Sequence, residues 1–164
     1  MNTKILKKLK GNPIDYFSVN AAADDNGMNL DIAMPIEFNY SLTPNGSPPH
    51  KLSLKEGAIV YIVRNLNSNT GLVNGQKLKI MKLYRYSIFA KIINGGYAGN
   101  IVFLPRITLT PNNNEIPFAM SRRQFPIRLA YAQTINRSQR QTYNDIKYNS
   151  RRIQKVVSNN CYTK

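Results

Sequence analysis

Several kinds of chemistry are missing from this sequence. Cys161 is the single cysteine of 164 residues, so neither a disulfide framework nor a C-x-x-C metal site is available. Among polar neighbours it reads as an incidental free thiol. His50, in SPPHKL, is the one histidine, and with no cysteine or second histidine beside it a metal site is excluded in favour of a loop histidine. Acids are scarce, 8 against 23 Lys and Arg. The adjacent pair Asp24 and Asp25 sits in AAADDNGMN, whose Asp, Asn and Gly favour a solvated turn over paired-carboxylate catalysis. No apolar run approaches the roughly 20 residues of a membrane span. The start, MNTKILKKLKGNP, is basic but is cut short by Gly-Asn-Pro before an apolar signal region forms, so the chain is expected to be soluble and unexported. A phosphate loop, G-x-x-x-x-G-K-[ST], is also absent: GLVNGQKL has the wrong glycine spacing, no Ser or Thr after Lys77, and β-type sequence on both sides. No apolar strand ends in Asp-Glu to hold magnesium.

What is abundant is positive charge, a formal +15, and it is unevenly placed. Residues 1–56 carry six Lys/Arg and six Asp/Glu, which cancel, whereas residues 57–164 carry 17 Lys/Arg against Glu115 and Asp145. Between Arg122 and Lys155 nine basic residues face one acid. Such a surface repels itself unless an anion neutralises it, and nucleic acid is the commonest partner of that kind; a solvated basic face is the alternative.

With 42% hydrophobic residues the chain can fill a modest core. Ile5, Leu6 and Leu9 stand at near-helical spacing with lysines opposite, which predicts a short helix stopped by Gly11-Asn12-Pro13. DYFSV reads as a short strand and residues 21–34 as a loop. SLTPNGSPPHKLSLKEG concentrates breakers over 41–57, placing a new unit near Pro49. From Gly57 onward GAIVYIVRNLN, KLKIMKLY, YSIFAKII and NIVFLPRITL predict four or five short strands. Asn74-Gly75 and Asn94-Gly95-Gly96 supply the turns. So few strands cannot form two full sheets, so a small bent barrel over residues 49–108 is the economical arrangement. Tyr61, Tyr84, Tyr86, Phe89 and Phe103 fit either packing within it or base stacking.

After a loop at TPNNNEIP, RRQFPIRLAYAQTI places Ile127, Leu129 and Tyr131 on one face and Ala130 and Ala132 on the other, which predicts a strand buried on both faces, as in an α/β layer. The segment AYAQTINRSQRQT then turns to hydroxyls and amides, which do not titrate near neutrality but suit phosphate oxygens. Ser138-Gln139-Arg140-Gln141 fits a capping box, which predicts a helix N-terminus able to face an anion; plain helix capping explains it equally.

PIEFNYSLTPNGSPPHKLSLKEGAIVYIVRNLNSNTGLVNGQKLKI, AGNIVFLPRITLTP and IPFAMSRRQFPIRLAYAQTINRSQRQT together resemble the C-terminal part of the petite-integration-frequency (Pif) DNA helicases, particularly the Helitron-encoded branch, over residues 5–148. The resemblance implies a mixed α/β fold: a small Src-homology-3-like β-barrel, domain 2B, at 49–108, inserted in an incomplete RecA-like domain made from 1–48 and 109–148. A divergent basic tail follows at 149–164. TINRSQRQT is similar to helicase motif V, which implies DNA-facing roles for Thr134, Asn136, Arg137 and Ser138, joined by Arg122 and Arg123 from the basic run. Gln139, Arg140, Gln141 and Thr142 match the turn toward the nucleotide. Arg140 stands where the family has glycine, and an arginine in a first helical turn opposes the helix dipole. After YNDIKY the family continues to an arginine-finger signature that NSRRIQKVVSNNCYTK does not match.

The family's activity is 5′ to 3′ DNA unwinding with ATP and Mg²⁺. This chain resembles only the part that lacks the ATPase machinery, so no cofactor of its own, no catalytic residue and no metal site are expected. The partner implied is single-stranded DNA, with unwinding only where a separate ATPase half is supplied. The chain is expected to be a nuclear, membrane-free monomer. A stand-alone small-barrel RNA-binding protein of ribosomal type, or a functionless transposon relic, are the alternatives.

Overall fold

The computed structural model describes residues 2–23, 40–42, 44, 46–110, 119–134, 146–149 and 154–157. Within them the chain is mostly β, with one α-helix. That helix, α1 (Asn2–Lys8), has the expected amphipathic pattern: Leu6 is buried and Lys4, Lys7 and Lys8 face solvent, the last two placed favourably at the C-terminal end of the dipole. The buried Lys55 donates to the carbonyl of Leu9 at 2.8 Å, tying the helix end to the body of the fold.

Five strands form the central sheet: β4 (Ile59–Ile62), β5 (Lys77–Leu83), β6 (Ser87–Ile92), β7 (Ile101–Pro105) and β10 (Ile127–Leu129), in the order β10-β4-β5-β6-β7 and antiparallel throughout. The first four form a meander because their turns carry the residues a reversal needs. Gly75 has φ 85° and closes the β4–β5 connection by donating to Ile62, and Gly95, at φ 84°, serves the β6–β7 connection. The β-branched and leucine side chains at alternate positions, such as Ile80, Ile88, Ile92 and Leu104, are fully buried and form one core.

The remaining strands form three smaller sheets. β1 (Ile14–Phe17) pairs with β3 (Lys51–Leu54); β9 (Ala119–Gln124) lies between β2 (Val19–Ala23) and β8 (Ile107–Leu109); β13 (Gln154–Val157) lies between β11 (Ala132–Thr134) and β12 (Ile146–Asn149). The main core draws Leu6, Tyr16, Phe125 and Ile127 from outside residues 49–108, and β10 supplies one edge of the central sheet.

Two expectations are corrected. Residues 19–23 form a strand where a loop was expected from 21, because β9 offers them a five-residue antiparallel partner. The single strand expected through RRQFPIRLAYAQTI is three short strands in three different sheets. Pro126 lacks the N–H that a continuous ladder needs, and the chain turns there from β9 to β10.

Candidate nucleic-acid interface

Period-two alternation along β9 decides the fate of its two arginines. Met120, Arg122 and Gln124 point inward and Arg123 points to solvent. Arg122 is 0% exposed, and its guanidinium donates from Nε to Asn20 Oδ1 and from Nη1 to the carbonyl of Pro48, both at 3.0 Å. Burial, followed by the nearby Arg128, pushes its pKa below the ordinary arginine value. The role expected for Arg122 at a DNA surface therefore does not fit its position: its donors face the protein interior. Gln124 acts beside it, donating to the carbonyls of Tyr16 and His50 and accepting from the N–H of Phe125.

His50 belongs to the same cluster. Its Nδ1 lies 2.8 Å from Ser18 Oγ, which itself donates to Asn20 Oδ1, and its ring stacks on Tyr40 with centroids 4.0 Å apart. Burial, and then the charge of Arg122, lowers its pKa. Sequence reasoning placed His50 in a loop, and it does precede β3, but as a fixed hydrogen-bonded group. Among the described residues no three His, Cys, Asp or Glu side chains stand close enough to hold a metal.

Thr134 ends β11, opposite Gln154. Asn136, Arg137, Ser138, Gln139, Arg140, Gln141 and Thr142 lie outside the described residues, as do Asp24, Asp25 and Cys161.

The aromatic residues divide clearly. Tyr61 is 7% exposed and packs inside, whereas Tyr84, Tyr86, Phe89 and Phe103 are 49%, 70%, 38% and 52% exposed. The interval that carries these four exposed rings, residues 57–114, contains seven Lys/Arg and no Asp or Glu. Of these, Lys77 is buried, which pushes its ammonium pKa down, while Lys79, Lys82, Arg85 and Lys91 are exposed. The acids among the described residues are Asp15 and Glu56, and Asp15 is paired with Lys51 at 2.9 Å. A hydrogen bond from Ser53 and the contact with Lys51 hold the Asp15 carboxyl below its usual pKa. Lys79, Lys82 and Lys91 carried no special signal in the sequence beyond the long acid-free interval around them.

Two shallow depressions border this surface. One, of about 590 Å³, is lined by Asn67, Asn69, Thr70, Tyr97, Ile101 and Phe103. The other, of about 450 Å³, lies between β1 and the β5–β6 turn, with Asp15, Tyr16, Phe17, Tyr84, Arg85 and Arg106 on its walls. Neither presents a nucleophile with a general base.

Residues 37–83 match the family described as DNA helicase Pif1, 2B domain. Among solved structures, the chain is similar to a Pif1 helicase from a study of forked double-stranded DNA unwinding by two coordinating copies, at 27% identity and TM-score 0.58, over 84% of this chain and 26% of that one. It is similar to Bacteroides Pif1 bound to single-stranded DNA at 25% identity and TM-score 0.55, over 84% and 28% of the two chains. Candida albicans Pif1 shares the fold, with TM-score 0.64 at 24% identity, over 86% and 34%. The chain thus spans about a quarter to a third of the length of these relatives. No curated protein matches it.

Proposed function

We propose that this chain, which resembles the Pif-type DNA helicases in its 2B-domain segment and in its fold, grips the backbone of single-stranded DNA and hydrolyses no ATP on its own. The observation that carries the proposal is the set of exposed lysines on β5 and β6, Lys79, Lys82 and Lys91, in strands that contain no Asp or Glu. Phosphate is the ligand that relieves such a surface of its own repulsion, and each cation that meets a phosphate releases condensed counterions. The single-stranded DNA held by the Bacteroides relative favours a single strand over a duplex.

The order β10-β4-β5-β6-β7, a four-strand meander whose fifth strand returns beside the first, suits the small Src-homology-3-like barrel of domain 2B. On this reading the flanking segments are parts of the second RecA-like domain. Thr134, Asn136, Arg137 and Ser138 then face the DNA backbone, and Gln139, Arg140, Gln141 and Thr142 face the nucleotide side. Arg123, outward on β9, takes the phosphate role from its buried neighbour.

The residues present do not fit ATP and Mg²⁺, since the 164 residues contain no G-x-x-x-x-G-K-[ST] run. Unwinding requires an ATPase half supplied separately. The setting is nuclear and the chain acts as a monomer.

The reading is tested by fluorescence anisotropy of a labelled oligo(dT), with unlabelled duplex DNA and a structured RNA as competitors, alongside a phosphate-release assay. Oligo(dT) should resist both competitors and no release above background should occur. Preferential capture by the structured RNA, or release stimulated by single-stranded DNA, would overturn it.

A further inference from the structure

The outward face of the β5–β6–β7 sheet has an ordered chemistry of its own. Cross-strand register builds two neighbouring rows: Lys79, Lys91 and Ile101 in one, Lys82, Phe89 and Phe103 in the other. Each row starts with a lysine on β5 and ends with an apolar side chain on β7. The register shift between Ile80 and Lys82 contributes to this, because the bulge leaves both Met81 and Lys82 facing outward. Phe89 stands in the middle of an edge-to-face series, with ring centroids 5.7 Å from Tyr84 and 5.5 Å from Phe103. These rings contact one another, yet all three stay substantially exposed, as do Met81 and Ile101. A contiguous apolar patch rimmed by cations is the mark of an interaction surface.

The arrangement selects its occupant. A protein partner would meet the apolar part, but β5 to β7 and their turns carry four exposed cations and no Asp or Glu, and Asp15 at the border is already paired with Lys51, which favours a polyanion. A folded duplex hides its base faces, whereas a single strand offers flat bases and phosphates together. We infer that this face is a base-stacking platform for single-stranded DNA: bases lie against Phe89 and Phe103, phosphates track Lys79, Lys82 and Lys91, and the strand continues toward the groove lined by Asn67, Asn69, Thr70 and Tyr97. The inference rests on the proposed DNA-binding function and adds a contact separate from the motif V segment, with a component of affinity that salt does not screen. Nucleotide bases stack on exposed rings without sequence preference, so the platform tolerates any sequence.

The test compares an oligo(dT) of about 16 nucleotides, the upper end of what one small barrel covers, with an abasic sugar-phosphate oligomer of equal length, each titrated against the full chain. The intact chain should bind oligo(dT) more tightly than the abasic strand by about fivefold to 150-fold per stacked base, the range that measured stacking contributions correspond to. The double variant Phe89→Ala/Phe103→Ala should bind oligo(dT) as weakly as the abasic strand, with the slope of log affinity against log salt unchanged. Phe89→Leu/Phe103→Leu keeps the apolar cover of the sheet and should lose the same preference, which separates ring stacking from any loss of fold. Failure of the intact chain to bind either oligomer at low salt refutes the function itself. Equal binding of both oligomers by intact and variant chains refutes the platform and leaves the function standing. If the intact chain self-associates and the ring variants abolish that association without changing DNA affinity, the face belongs to a second copy and the inference is overturned.

Discussion

Arg122 and Arg123 are adjacent in sequence but should answer to different measurements when each is changed to alanine. Removing the Arg122 side chain leaves the Pro48 carbonyl and one bond of Asn20 Oδ1 without their donor inside the protein. A buried acceptor left unsatisfied costs roughly 1–3 kcal/mol, and the lost packing of the arginine stem adds to this. Relief of burying a charge near Arg128 offsets part of the loss. The expected net destabilisation is about 2–4 kcal/mol, or roughly 4–16 °C in Tm for a domain of this size. Arg123→Ala removes an outward cation and should shift stability by no more than about 0.5 kcal/mol. If Arg123 meets one phosphate, its loss should flatten the salt slope of single-stranded DNA binding by about 0.7. Thermal unfolding followed by circular dichroism, and anisotropy titrations at several salt concentrations below the unfolding range, give both readouts. An Arg122→Ala chain with unchanged Tm and a flattened salt slope would refute the assignment of Arg122 to the interior.

Phe125→Ala removes a fully buried ring in edge-on contact with Tyr16 at 5.0 Å and under the Arg106 guanidinium at 5.1 Å; urea denaturation should show a loss of about 3–5 kcal/mol, and a loss below about 1 kcal/mol would contradict its place in the core. Gly71→Ala should cost at least about 1 kcal/mol by the same assay, since its φ of 76° is unfavourable for a side chain and a Cβ there would stand 2.6 Å from a Tyr97 ring carbon. His50 has a lowered folded-state pKa, so the unfolded chain binds the additional proton and stability is lost as pH falls from the ordinary value of 6.5 toward the folded one. His50→Gln should flatten stability against pH in that interval, and an unchanged pH dependence would count against the burial of His50 near the Arg122 charge.

Legibility in the sequence followed the range of the physics involved. Local signals sufficed for α1, where Ile5 and Leu6 in the helix and Leu9 just after it fall within two turns, and for β4 to β7, where Gly75 and Gly95 mark reversals between apolar runs. The pairing of β10 with β4 was not legible, because Ile127 meets Ile62 across more than sixty intervening residues and no local pattern encodes that register. Inside-outside parity was the other blind spot. In SRRQ either arginine can face the core until the partner strands of β9 are known, and Gln124 is buried on the same side as Arg122. Phe89 lies between Ile88 and Ala90 in a run apolar on both faces, so its exposure emerges only once Ile88, Ala90 and Ile92 occupy the core. The resemblance to Pif-type helicases was legible from long-range order and spacing, and the 2B-domain match over 37–83 falls within it.

The salt dependence of binding to single-stranded DNA tests the central claim most directly. With about four to six cations meeting phosphates, log affinity for oligo(dT) should fall against log salt with a slope of roughly −3 to −4, at about 0.7 per phosphate. Binding that is equally strong at low and high salt would contradict an account in which exposed lysines and arginines grip the DNA backbone.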